Sequence, residues 1–203
     1  MRKSEIIKIF KDNLFYKNPV VVQILGICST LAITNFVKNT LVMCIGLIFT
    51  TSFSSFTVSL LRKTIPPRIR LIVETLIIAS YVIIIDIILK VYLPDISKQL
   101  GPYVGLIITN CIVMGRAEAY ALSNPPIASF IDGFSSGLGY SFILLTISIF
   151  RELLGMGTIF NITILPDSFT KWTLMVMAPG GFFMLAIIIW LFKAFFLKEE
   201  VKK

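Results

Sequence analysis

The sequence predicts an all-α integral membrane protein of six transmembrane helices. Three observations lead there. Apolar residues make up 56% of the 203 and charged residues only 15%, where soluble chains average about 25% charged. Mean hydropathy is +0.89, more apolar surface than a soluble fold of this size can hide. Uncharged runs recur along the whole chain, each near the ~20 residues that cross a bilayer.

The elements follow in order. Charges are scattered through residues 1–17 and no cleavage site follows, so this is no signal peptide. Ile6, Phe10 and Leu14 recur at four-residue spacing, with Lys3 before them and Lys8 and Lys11 between. That pattern suits a short helix lying on the inner leaflet, the alternative being a solvated tail. The first span is predicted over 18–37 and the second over 39–61. Pro66-Pro67 breaks the loop that follows. The third span covers 71–93 and carries Glu74, Asp86 and Lys90. The fourth covers 100–115 and continues, weakly polar, to about residue 122. The fifth covers 133–150, and 172–190 lies inside the sixth. Short loops and tails leave no room for a soluble domain, so 1–203 is expected to be one transmembrane domain.

Basic residues set the expected orientation. With the N-terminus inside, Lys38, Lys90, Lys98, Arg151 and Lys171 fall outside, and the rest of the 19 Lys and Arg fall inside. The positive-inside rule then places both termini in the cytoplasm. The formal charge of +8 needs no nucleic-acid partner, because no basic soluble face with groove-reading elements accompanies it. Histidine is absent. This chain therefore holds no His-ligated haem, no His-containing zinc site and no Ser-His-Asp or Cys-His nucleophile. Three cysteines make no disulfide framework.

Six spans divide into three plus three, 18–93 and 100–197, and an odd number in each half reverses the second half in the bilayer. Cys28 is the eleventh of the twenty residues 18–37, and Cys111 the tenth of the twenty residues 102–121. Both fall near mid-span in the first helix of each half. Gly26, Ser29, Thr30, Thr34 and Asn35 surround Cys28; Gly105, Thr109, Asn110 and Gly115 surround Cys111. Polar and glycine residues at that depth are costly unless they face protein or a site. Interrupted helices at matching positions of inverted repeats are a pattern of transport proteins. Spacing alone leaves six unrelated spans open.

Cysteine most often packs as a small hydrophobe, and Cys44, between Met43 and Ile45, is expected to do so. Cys28 and Cys111 differ in their matched depth and polar neighbours. Two thiolates at one depth suit a metal but do not fill a tetrahedral or iron–sulfur site, which takes four ligands. A partner would have to supply the rest.

Several segments carry a family resemblance: Asn18-Pro-Val-Val-Val-Gln-Ile-Leu-Gly-Ile-Cys28-Ser-Thr-Leu-Ala-Ile-Thr34, Asp95-Ile-Ser-Lys-Gln-Leu100, and Thr109-Asn-Cys111-Ile-Val-Met-Gly-Arg-Ala-Glu118. Ser129-Phe-Ile-Asp-Gly133, Gly137-Leu-Gly-Tyr140 and Phe150-Arg-Glu-Leu-Leu-Gly155 add to it. Together they resemble the D subunits of bacterial sodium-translocating NADH:quinone oxidoreductases, over nearly the whole chain. The related E-type subunits of the Rnf electron-transport complexes, which use ferredoxin and NAD, share much of the pattern. The resemblance implies six spans in two inverted three-helix repeats, with the first helix of each repeat broken at mid-membrane. It implies a homologous E-type sister and a six-subunit complex in the bacterial inner membrane. The two sisters hold one [2Fe–2S] cluster between them, and the matching positions here are Cys28 and Cys111. NADH, flavins and ubiquinone are bound mainly by other subunits, and electron passage is coupled to sodium export. The lack of a Gly-rich dinucleotide fingerprint here agrees with that division. Rival readings are the Rnf-type subunit and an inverted-repeat secondary transporter without a redox role.

Ser29, Thr30, Thr109 and Asn110 are candidates to hydrogen-bond cluster sulfurs, against ordinary helix-to-helix bonding. Asp86 and Lys90, four apart, are expected to pair near the outer end. Glu74, one turn after Arg70, is expected to form a salt link. Arg116 and Glu118 are placed at the inner end of the fourth span, Asp132 as the cap of the fifth. Gly133, Gly137 and Gly139 form a small-residue face that suits close helix approach, within the chain or at a subunit interface. Phe182-Phe183 and Phe195-Phe196 are expected toward lipid.

Overall fold

The computed structural model describes residues 10, 13, 18–92, 94–159, 162–163 and 177–196. The N-terminal amphipathic segment, apart from Phe10 and Asn13, and residues 172–176 of the sixth span lie outside the described residues, as do the side chains of Phe195 and Phe196. The helices are α1 (Ile27–Ile33), α2 (Val37–Leu61), α3 (Arg70–Tyr92), α4 (Pro94–Ile108), α5 (Cys111–Arg116), α6 (Pro126–Met156) and α7 (Ala178–Phe196). A π-helical turn, Ala117–Ala121, continues α5. A departure from all-α is a hairpin of two-residue strands, β1 (Thr158–Ile159) and β2 (Ile162–Thr163).

Among the described residues four helical stretches are long and apolar enough to cross a membrane: Val37–Leu61, Arg70–Tyr92, Ser97–Ala121 and Pro126–Met156. Pro179–Ala194 is a shorter apolar helix. The expected first span departs from a continuous helix. Residues 18–26 run as turns and irregular chain, with positive φ at Ile24 (55°) and Gly26 (80°), and helix begins only at Ile27.

α2 and α6 cross antiparallel at the centre. Thr40 donates to Ser148 (3.0 Å) and Cys44 Sγ lies 3.9 Å from the Ser141 carbonyl. A Cβ on Gly137 would stand 3.1 Å from Ile48 Cα, and one on Gly133 only 2.7 Å from the Thr51 carbonyl oxygen. The small-residue face is thus used within the chain. Many hydroxyls of α2 stay satisfied by bonding the carbonyl four residues back: Thr50 to Gly46 (2.9 Å), Thr51 to Leu47 (2.6 Å), Ser52 to Ile48 (2.7 Å). That local pairing lets a Ser/Thr-rich helix sit in apolar surroundings. α3 is the outlying helix; Ile72, Leu76, Ile83, Ile87 and Val91 make one exposed apolar stripe along it.

α6 corrects the fifth span most. It spans 31 residues rather than the predicted 133–150. Pro125 and Pro126 start it, proline being harmless where the N–H has no helical partner, and left-handed Gly157 (φ 71°) ends it by donating to the Leu153 carbonyl (3.0 Å). Asp132 therefore lies in its second turn and caps nothing. Arg151, expected in an outer loop, is helical and 2% exposed. A lone charge reads as a span end because it does not belong in lipid; here the charges are buried against the first span.

That span runs parallel to α6 and is tied to it along its length. Asn13 donates to Asp132 (2.7 Å) and Ser135 (2.9 Å). Asn18 donates to the Gly139 carbonyl (3.1 Å), while its own oxygen accepts from Val20 N–H (3.0 Å). Arg151 donates to Thr34 Oγ1 (2.5 Å) and the Leu31 carbonyl (3.3 Å). Glu152 accepts from Val37 N–H (2.6 Å), capping α2 from a distant helix. The unwound chain pairs its backbone largely within itself, Val22 N–H to the Asn18 carbonyl and Leu25 N–H to the Pro19 carbonyl (3.0 Å each), while α6 side chains reach the Leu31 carbonyl and Val37 N–H further along.

Candidate functional site

Two helix breaks meet at the site. Gly26 precedes α1, so Cys28 stands in the first helical turn. α4 stops at Ile108, and Asn110 caps α5 by accepting from Ile112 N–H (3.0 Å), so Cys111 is the first residue of that helix. Each cysteine thus sits where backbone N–H groups lack carbonyl partners of their own helix, an electropositive setting for a thiolate.

A cavity of about 310 Å³ joins them. Its lining is Gly26, Cys28, Ser29, Leu106, Thr109, Asn110 and Cys111. Both thiols are exposed at the chain surface, whereas Cys44 is buried. A second concavity of about 340 Å³ continues the seam between α1 and α4 and includes Asn35, Asn39, Gln99 and Tyr103.

A hydrogen-bonded node behind the cavity holds the two breaks together. Asn110 Nδ2 donates to Ser29 Oγ (3.2 Å). Ser29 donates to the Gly26 carbonyl (3.1 Å) and is hydrogen-bonded to the Tyr140 hydroxyl. Tyr140, from α6, is fully buried and its hydroxyl lies 3.5 Å from the Gly26 carbonyl. Gly26 is required twice over. Its φ of +80° disfavours any side chain, and a Cβ there would fall 2.7 Å from Tyr140 Cε2.

Of the polar candidates, Ser29, Thr109 and Asn110 line the cavity. Thr30 is buried and donates to the Gly26 carbonyl (2.8 Å), outside the lining. Arg116 is paired in the interior with Asp132, Nε to Oδ2 at 2.9 Å. Arg70 forms the expected salt link with Glu74, Nε to Oε1 at 4.0 Å, and also pairs with Glu118. Asp86 and Lys90 pair as expected, at 2.6 Å on an exposed face. Tyr140, Arg151 and Glu152 are not singled out by the sequence. Their signal is a polar side chain within or beside an apolar run, which implies buried partners.

The donor set decides what the pocket can hold. Two sulfur ligands are half of the four that iron–sulfur clusters take. Among the described residues, no group of three or more His, Cys, Asp and Glu side chains gathers to hold a metal ion. Two thiols in the lining of one surface-opening cavity are donors of the type that soft metals take.

Buried polar ties between interrupted apolar helices define an integral membrane protein built around a thiol pocket. The chain belongs to the Rnf-Nqr family of membrane-protein subunits, whose model matches residues 6–189. It is 50% identical over 186 residues to a Photobacterium profundum protein named as the D subunit of a Na(+)-translocating NADH-quinone reductase, covering 89% of this chain and 87% of that one. It is 48% identical over 192 residues to proteins of the same name from Yersinia enterocolitica and Yersinia pestis, covering 92% of each chain.

Proposed function

We propose that this chain is the membrane subunit of a sodium-translocating NADH:quinone reductase that contributes Cys28 and Cys111 to a [2Fe–2S] cluster shared with a sister subunit. The observation that carries the reading is the single cavity lined by both cysteines. The names of relatives half identical over most of their length support the complex and its chemistry. Such a cluster, when bound, supplies reversible one-electron transfer. The chain's own part is positional. Cys28 and Cys111 bind, and Ser29, Asn110 and Tyr140 fix the spacing of the two helix starts. Gly26 leaves room for the approach. Thr109 and Asn110 stand within the lining as polar groups toward the sulfurs. The sister subunit supplies the other two ligands, and NADH, flavins and ubiquinone belong mainly to further subunits of the six.

The same reading makes the chain six spans in two inverted repeats, 18–93 and 100–197, in the inner membrane with both termini cytoplasmic. Three correspondences support the inversion. The two antiparallel central helices, α2 and α6, are each second in their half. The first span lies parallel to α6, while the fourth lies parallel to α2 through Asn39 with Gln99 (3.2 Å), Gly46 with Ile107, and Val58 with Ala117 and Ala121. At the end of α6, Arg151 and Glu152 grip the α1–α2 connection; at the end of α2, Ser59 and Arg62 grip the Asn124 carbonyl (2.6 and 2.7 Å) before α6.

Iron quantification and EPR on the co-expressed sister subunits test the assignment. Cys28→Ser and Cys111→Ser are each expected to lose the cluster signal, and Cys44→Ser to keep it. A full signal in both single variants removes the proposal.

A further inference from the structure

Threonines in the spans of this chain satisfy their hydroxyls in one way. Those from Thr30 to Thr57 in the first two spans, and Thr146 in α6, donate to the carbonyl four residues back at 2.5–2.9 Å. Thr75 in α3 donates to the carbonyl three back (2.9 Å). Such back-bonding keeps a hydroxyl satisfied where water is scarce. Thr109 breaks the pattern. It follows the last residue of α4 and precedes the cap of α5, near the middle of the apolar stretch Ser97–Ala121. Its hydroxyl has no hydrogen-bond partner among the described residues. It is exposed, and it lines the cavity with Cys28 and Cys111. A bare hydroxyl at that depth takes its partner from whatever fills the cavity.

The other polar groups of the lining are largely spent. A hydroxyl has one hydrogen to give. Ser29 meets the Gly26 carbonyl (3.1 Å), the Tyr140 hydroxyl and Asn110 Nδ2 (3.2 Å), so its hydrogen is used behind the cavity. Asn110 gives its oxygen to Ile112 N–H (3.0 Å) and one amide hydrogen to Ser29. Its side chain keeps one hydrogen, on a residue only 4% exposed.

We propose that Thr109 is the residue that hydrogen-bonds the iron–sulfur centre held by Cys28 and Cys111 and sets its reduction potential, while Ser29 serves only to tie the two helix breaks. This rests on the cluster reading above. The Thr109 hydroxyl donates toward electron-rich sulfur. A donor there favours the reduced, more negative state and raises the potential.

An EPR-monitored redox titration of the whole complex tests it, read on the signal that Cys111→Ser removes. Thr109→Val keeps the shape and drops the hydroxyl. It should make reduction about tenfold less favourable, which is about 59 mV for one electron. Thr109→Ser keeps a hydroxyl and should titrate with the unaltered complex. Loss of the signal in Thr109→Val, with Thr109→Ser intact, equally supports the contact. An unchanged midpoint in Thr109→Val, or the same shift or loss in Thr109→Ser, overturns the proposal. An equal fall in Ser29→Ala overturns the division between the two hydroxyls. If Cys111→Ser removes no signal, the cluster reading itself fails and this inference falls with it.

Discussion

Replacing Gly26 by alanine probes the joint between the two helix breaks. The new Cβ would lie 2.7 Å from Tyr140 Cε2 and 3.0 Å from Ile112 Cδ1, on a residue whose φ is +80°. A left-handed conformation costs a non-glycine residue about 1–2 kcal/mol. Pushing a methyl into a packed core costs about 1–3 kcal/mol more. The sum is about 2–5 kcal/mol, and at about 2–4 °C per kcal/mol for a chain this long the midpoint should fall by about 5–20 °C. Thermal denaturation of the solubilised complex, followed by fluorescence-detected size exclusion, measures it. Gly105→Ala is the control, because a Cβ there meets nothing within 4 Å and alanine favours helix by up to about 1 kcal/mol. Adding Tyr140→Leu to Gly26→Ala should recover the steric part and leave the backbone part. If Gly26→Ala melts with Gly105→Ala, the close approach at Tyr140 is not what holds the breaks together.

Other expectations concern the ties to α6 and the pocket. Glu152→Ala removes the acceptor of Val37 N–H and should cost about 1.5–3 kcal/mol, with Glu152→Gln recovering part in the same melt. Arg116→Leu and Asp132→Leu each strand a buried partner and should cost about 3–5 kcal/mol; the double variant should cost far less than their sum, and strict additivity would deny the pair. A short linker carrying two maleimide groups, each adding one cysteine thiol across its double bond, should join Cys28 to Cys111 within one chain, since both line one cavity. Peptide mapping that finds either cysteine joined to Cys44 instead would contradict that geometry.

The apolar runs gave the transmembrane class and most helix positions directly. Arg70–Tyr92 falls within a residue of the predicted third span, and Val37–Leu61 starts two residues before the predicted second. Such helices satisfy their backbone within themselves, so local sequence suffices to read them. Failures came where a segment depends on a distant one. Asp132, Arg151 and Glu152 look like span ends until Arg116, Thr34 and Val37 are set beside them. The break expected near Cys28 is found at Gly26, but the structure extends it over residues 18–26.

The sequence by itself determined the solvent of this protein and its helical class, because lipid enforces rules that each segment obeys separately, and position along the spans singled out two of the three cysteines. Tertiary structure decided that Cys28 and Cys111 line one cavity. It also decided that the arginine one turn before Glu74 pairs with Glu118 as well. Both depend on partners far apart in sequence: Ser29 with Asn110 and Tyr140, and Arg70 with Glu118. No local periodicity encodes which of several polar side chains a buried group will meet.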